Sequence, residues 1–235
     1  LQAQINPHFL YYTVQCFGSH ALQKHGREEY QQFPDFGKMM HYSMTIEPAL
    51  APVQTEVDYI QRYVRLQEMR LDHSVNFTWE VSKEAEQILI PKMTIQPLIE
   101  NAFEHGFFTQ RQNGYLYLSV RVNKKYLLVT VENTGKPISQ EAISNIRFAI
   151  SEVNKKFVRS SEAINQDDLA GQMLSNSEGR EKISSIGVIN VYTRLLLQYQ
   201  EVYFYITSGV NEDRTIVFFR VMINDIPIAK KRGRI

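Results

Sequence analysis

The chain has 235 residues, 43% of them hydrophobic, and a net charge of +1, which suits one large domain or two small ones with a buried core. The near-neutral charge excludes a bulk electrostatic case for nucleic-acid binding, and the single cysteine, Cys16, excludes an intrachain disulfide and fits a reducing compartment. No run of about 18 apolar residues is present to span a bilayer, and no signal peptide is recognisable.

Residues 1–24 are predicted to be helical, because Ile5, Phe9, Tyr12 and Cys16 recur on one apolar face. His8 lies at the edge of that stripe. Pro7 lacks an N–H and clashes with the preceding turn, so it bends the helix before His8 or marks its first turn. Residues 25–34 read as a loop, and Phe36 to Thr45 as a short helix with Met40 and Met44 on one side. Pro48 and Pro52 break it. Thr55 to Leu71 is the clearest helix, with a stripe of Val53, Val57, Ile60, Val64 and Leu71. Two or three helices with such narrow stripes cannot bury them alone, so a dimeric helical bundle is expected for residues 1–74.

Val75, Phe77, Trp79 and Val81 alternate with polar residues and predict a strand. Ile95 to Gly106 (IQPLIENAFEHG) reads as a helix that ends at its glycine. It gathers Glu100, Asn101, Glu104 and His105 within about one turn. An Asn beside a carboxylate suits a Mg²⁺ that keeps several waters and bridges phosphates; an ordinary amphipathic helix with a solvated acidic edge is the competing reading. Leu116–Val122 and Leu127–Val131 alternate about an Asn123-Lys124-Lys125 turn and predict a hairpin. It runs into Glu132-Asn133-Thr134-Gly135-Lys136-Pro137-Ile138. Ser139 caps a helix to about Asn154, with Glu141 in its first turn. Residues 155–184 are polar and poorly periodic, as in functional lids. Gly187 is read as opening a helix through Tyr199, its N-terminus suited to phosphate, with Asn190 and Arg194 one turn apart. Tyr203–Thr207 and Thr215–Ile223 are the last strands, and Val217, Phe219 and Val221 read as core.

Three motifs in order, Q-A-Q-I-N-P-H-F-L-Y (residues 2–11), Q-P-L-I-E-N-A-F-E-H-G (96–106) and G-V-I-N-V-Y-T-R-L (187–195), make nearly the whole chain resemble the LytS/YesM-type sensor histidine kinases. The resemblance implies an α+β chain: a dimerising helical and phosphoacceptor region, residues 1–74, then a GHKL-type (Bergerat) α/β-sandwich ATP-binding domain, residues 75–227, and a basic tail, 228–235. It implies a membrane-bound two-component sensor whose fragment here sits on the cytoplasmic face. The chain starts inside a motif without an initiator Met, so a sensor and membrane region is expected upstream. Mg-ATP would phosphorylate His8 for later transfer to a response regulator, and the working unit would be a homodimer. Neutral imidazole is nucleophilic near pH 7, which suits that role. By resemblance Glu100 orients or deprotonates His8, Asn101 holds Mg²⁺, and His105, Asn133, Gly135, Gly187, Asn190 and Arg194 contribute to the nucleotide side.

Several positions depart from the family pattern. Tyr12 replaces an Asn, Glu104 a Lys, Asn133 the Asp that accepts from the adenine amino group, and Pro137 and Ser185 each replace a Gly. Asn133 keeps a carbonyl acceptor without the charge, and its NH₂ could face a guanine O6, relaxing base preference. The alternative to an active kinase is therefore a degenerate one that works as a dimeric signal relay. A topoisomerase- or chaperone-like ATPase is disfavoured, because the N-P-H-F stretch has no purpose there.

Overall fold

The computed structural model describes residues 32–44, 49–68, 71, 75–107, 114–159, 180–199, 201–209 and 213–223. The expected helix over residues 1–24 with His8, the central part of the expected lid and the basic tail lie outside these residues.

Among the described residues five strands form one mixed sheet, in the order β2 (Val75–Val81), β4 (Gly114–Asn123), β5 (Tyr126–Thr134), β7 (Arg214–Met222) and β6 (Val202–Ser208). β2 runs parallel to β4. β5, β7 and β6 continue it antiparallel. Period-2 alternation places Leu116, Leu118 and Val120 of β4 on the same face as Leu127, Val129 and Val131 of β5 and Val217, Phe219 and Val221 of β7, all buried. The β4–β5 turn is closed by Lys124, which takes a left-handed conformation (φ 55°). A second, two-stranded ribbon pairs β1 (Leu50–Pro52) with β3 (Leu89–Pro91); it is too short to show alternation in the sequence.

Helices cover the buried face of the main sheet. α1 (Gln32–Met44) and α2 (Val53–Glu68) contribute Met39 and Val53, Val57, Ile60 and Val64 to the core that the sheet residues form. α3 (Gln96–Asn101) adds Leu98 and Ile99, and α4 (Gln140–Arg159) adds Ile143 and Ile146. α5 (Arg180–Tyr199) adds Val188, Val191 and Leu195, while its Ile189, Tyr192 and Leu196 pack with Ala149 and Val153 of α4 in a satellite cluster. At the start of α4 the Ala142 N–H donates to Ser139 Oγ at 3.1 Å, the expected cap. Within the described residues no helix is long and apolar enough to cross a membrane.

The structure corrects four local expectations. α1 starts at Gln32, inside the stretch read as a loop, and buries Met39 while Met44 is 65% exposed. Starting the helix earlier brings out a face of Phe36, Met39 and Ser43. The Ile95–Gly106 helix does not stop at Gly106: it widens after Asn101 into a π-helical turn, Ala102–Phe107. That turn keeps Phe103 and Phe107 both buried, ring to edge at 5.1 Å. Helical structure also invades both ends of the segment read as lid, since α4 ends at Arg159 and α5 begins at Arg180. Gly187 consequently lies in the interior of α5 and does not open it.

Candidate functional site

α3 and its π-helical turn run between α5 and the end of β5 and touch both. On the β5 side two glycines cross. Gly135 has φ +130°, and a Cβ there would fall 2.5 Å from the Gly106 Cα. A Cβ on Gly106 would fall 2.8 Å from Asn133 Nδ2 and 3.0 Å from the Thr134 carbonyl. Close backbone approach therefore requires glycine at both positions. Asn133 lies on the inner face of the sheet, 7% exposed, and its Nδ2 donates to the Thr134 carbonyl at 3.0 Å. With that amide so placed, the side-chain carbonyl is the acceptor Asn133 offers. On the α5 side, the position a Gly187 Cβ would take lies 3.8 Å from Pro97 Cβ and 3.9 Å from Asn101 Nδ2. Gly187, Asn133 and Gly135 thus lie around the short element that carries Asn101. Asn190 is exposed one turn further along α5, and His105 is partly buried in the π-helical turn. π-Helical turns inside helices are frequent at functional sites.

Glu100 faces the other way, toward α2. It accepts from Gln96 Nε2 at 2.6 Å and lies near Tyr59, Tyr63 and Glu104. Burial pushes its carboxyl up to about 7; the Gln96 donor opposes the shift and the Glu104 charge adds to it. Such a group is poised to take or release a proton near neutrality.

Arg194 is turned to backbone carbonyls and is not arranged as a surface ion pair. Its Nη1 and Nη2 donate to the carbonyls of Lys92 and Met93 at 2.8 and 2.6 Å, and Nε to Asn190 at 3.4 Å. Facing the same turn is Glu56, a residue not singled out in the sequence, 1% exposed. Its Oε1 accepts from the Met93 N–H at 2.8 Å, and its Oε2 from the Thr94 and Ile95 N–H groups at 3.1 and 3.2 Å. The Tyr42 hydroxyl also donates to Oε1. Burial, then the Glu56 charge, holds the Tyr42 phenol well above its ordinary range. The signal was present: Glu56 is three residues after Val53 and four before Ile60, inside the apolar stripe of α2, where a charge must find partners. His8, the expected phosphoacceptor, lies outside the described residues.

A Mg²⁺ ion fits this site as a bound partner of Asn101 more than as the centre of a protein cage. Among the described residues no three His, Cys, Asp or Glu side chains are grouped to hold a metal. A Mg²⁺ that keeps its waters needs one or two protein oxygens plus phosphates, and the Asn101 side-chain oxygen would be the one to offer.

A protein-family model described as "Histidine kinase" matches residues 1–75. The sensor histidine kinase YesM of Bacillus subtilis (strain 168) is 30% identical over 135 residues, 57% of this chain and 23% of that protein. The sensor protein kinase HptS of Staphylococcus aureus (strain USA300) is 29% identical over 153 residues, 64% of this chain and 29% of that protein. The matches thus span less than a third of the curated relatives' length. Among solved structures, the catalytic domain of histidine kinase ThkA covers 72% of this chain and 89% of its own at 15% identity and a TM-score of 0.44. The histidine kinase domain of the Erythrobacter litoralis EL346 blue-light activated kinase covers 84% and 83% at 16% identity and a TM-score of 0.45. The ordered motifs, the family match over residues 1–75 and the two relatives agree: the chain is similar to sensor histidine kinases of the LytS/YesM type.

Proposed function

We propose that this chain is the transmitter portion of a two-component sensor, which binds Mg-ATP between α3, α5 and the end of β5 and phosphorylates itself on His8. The observation that carries the reading is the contact of one short helix with both Gly187 and the Gly106–Gly135 crossing. It brings Asn133 and the two glycine-bearing segments alongside the short helix that carries Asn101, which supports the reading. The Asn133 carbonyl would accept from the adenine amino group. Asn101 would hold Mg²⁺, which supplies charge neutralisation at the phosphates when bound. The unprotonated ring nitrogen of His8 would attack the γ-phosphorus, the bond from that phosphorus to the ADP oxygen would break, and the proton on the other ring nitrogen would pass to Glu100 or to water. A response-regulator Asp would then take the phosphoryl group from the phosphohistidine.

The wider assembly follows from the same reading. The chain would act as a homodimer through its first helices, downstream of a membrane sensor region of the same protein. Because Met39 and the α2 stripe share the core of the sheet, the nucleotide-binding unit would begin at α1, with the dimerising region confined to the residues before it. The first test is Mg-ATP binding by calorimetry: micromolar to millimolar affinity abolished by Asn101→Ala supports the site, and unchanged binding in that variant removes Asn101 from it.

A second reading, a degenerate kinase that relays a signal without catalysis, is favoured by one observation. The Asn133 amide is bonded to Thr134, so the base is offered a neutral acceptor in place of a charged one.

A further inference from the structure

We propose that Tyr42, Glu56 and Arg194 are positioning residues that set where Asn101 stands, and that Tyr42 makes the placement of α1 a determinant of that position. The functional half of this inference rests on the kinase reading above. Its structural half rests on a convergence: α1, α2 and α5 each send one polar side chain to the same turn, Lys92–Ile95, from which α3 starts.

The turn cannot hold itself. Met93 has φ +61°, a left-handed conformation disfavoured for a residue with a side chain. α3 has no side-chain cap of its own at Ile95, although the first N–H groups of a helix lack partners within it. Glu56, on another helix, holds the turn that leads into α3 by accepting the consecutive N–H groups of Met93, Thr94 and Ile95. Arg194 holds the carbonyl side of the same turn through Lys92 and Met93. Thr94 ties the turn to β3 through the Pro91 carbonyl at 2.6 Å. Lys92 closes the circuit: its Nζ donates to the Tyr42 carbonyl at 3.1 Å and sits 4.3 Å from the centre of the Tyr42 ring.

Asn101 is the last residue of a six-residue helix, about 9 Å long at 1.5 Å per residue. A displacement of its first turn is therefore delivered to Asn101 nearly undiminished. α5 touches α3 at both ends, at the starting turn through Arg194 and beside Asn101 at Gly187. The Tyr42 hydroxyl shares Glu56 Oε1 with the Met93 N–H. α1 is the first described element of the chain, and Tyr42 links it to the turn that starts the Asn101 helix.

The test uses Tyr42→Phe and Arg194→Lys in the 235-residue chain. Phe keeps the ring and removes the donor; Lys keeps the charge and cannot bridge two carbonyls in one plane. Amide hydrogen exchange of the nucleotide-free chain is the first readout. The expected result is exchange faster by about tenfold over Thr94–Asn101, with the β4 and β5 amides unchanged. The second readout is the Mg²⁺ concentration for half-maximal autophosphorylation, expected to rise by about threefold or more while ADP affinity in EDTA stays constant. Equal acceleration of exchange in β4 and β5, or no acceleration over Thr94–Asn101, would overturn the positioning role. A wild-type chain that shows no Mg²⁺-dependent nucleotide binding would instead refute the kinase reading, and the exchange result would still decide the positioning. Faster local exchange with an unchanged Mg²⁺ requirement would reduce the three residues to structural supports.

Discussion

Glu56 and Arg194 hold opposite ends of one residue: the carboxylate accepts the Met93 N–H at 2.8 Å, and the guanidinium donates to the Met93 carbonyl at 2.6 Å. Neither touches the other's atom on Met93, yet between them they fix a left-handed residue at the start of the helix that carries Glu100 and Asn101. Replacing Glu56 by Ala leaves three buried or partly buried N–H groups without their acceptor and Arg194 without its nearest counter-charge. The expected loss is at least about 3 kcal/mol of unfolding free energy, measured by urea titration. A loss below about 1 kcal/mol would mean that water replaces the carboxylate and that the clamp is weak.

Gly135→Ala tests the glycine crossing. The new methyl group would meet the Gly106 backbone at 2.5–2.8 Å in a φ +130° conformation. A destabilisation of about 1–3 kcal/mol is expected, together with loss of nucleotide binding as the π-helical turn is pushed from β5. Gly187→Ala is the control, because its methyl would make ordinary contacts near 3.8 Å. It should gain up to about 1 kcal/mol of helix stability. Stability that changes in the same way in both variants would contradict the geometry.

Glu100 gives a pH dependence with a defined sign. Its carboxyl is raised by burial to about 7 in the folded chain, against about 4.3 in an unfolded one. The folded state thus holds an extra proton between those values. Its contribution to stability is fully present below the unfolded value and is lost as pH rises through about 7. Glu100→Gln should flatten that fall in a series of thermal melts from pH 4 to 8. If the ionised carboxylate acts as the base, the autophosphorylation rate should rise through pH 7 in wild type, and this limb should disappear in the variant. A rate profile that is the same in both proteins would remove Glu100 from proton transfer.

Asn133→Asp restores a charged acceptor at the end of β5. A charge-assisted hydrogen bond to the adenine amino group should improve ATP affinity by roughly tenfold, read by calorimetry against GTP as comparison. An unchanged affinity would count against the view that this site has been weakened by the loss of charge.

Much of the sheet and little of the clamp was legible in the sequence. The β4–β5 hairpin could be read because one face is fully buried, so Leu116–Leu118–Val120 and Leu127–Val129–Val131 keep strict alternation. The π-helical turn could not. Leu98 and Ala102 satisfy ordinary helical spacing, and the widening answers to the Asn133–Gly135 backbone, which is distant in sequence. Nothing in the sequence marks the start of α5, which lies in the polar stretch before Gly187 and not at the glycine. Arg194 and Glu56 illustrate the general difficulty. Arg194 looks like a surface charge on an amphipathic helix, and the position of Glu56 in the apolar stripe of α2 says only that it must find partners; those partners are backbone atoms of a turn, which carry no signature in the sequence.

Phosphoryl transfer to His8 is tested by incorporation of label from γ-labelled Mg-ATP into the 235-residue chain, with His8→Ala alongside. Acid-labile label is expected in the wild type and none in the variant. Label retained by His8→Ala, or no label in a wild-type chain that binds Mg-ATP, would contradict it.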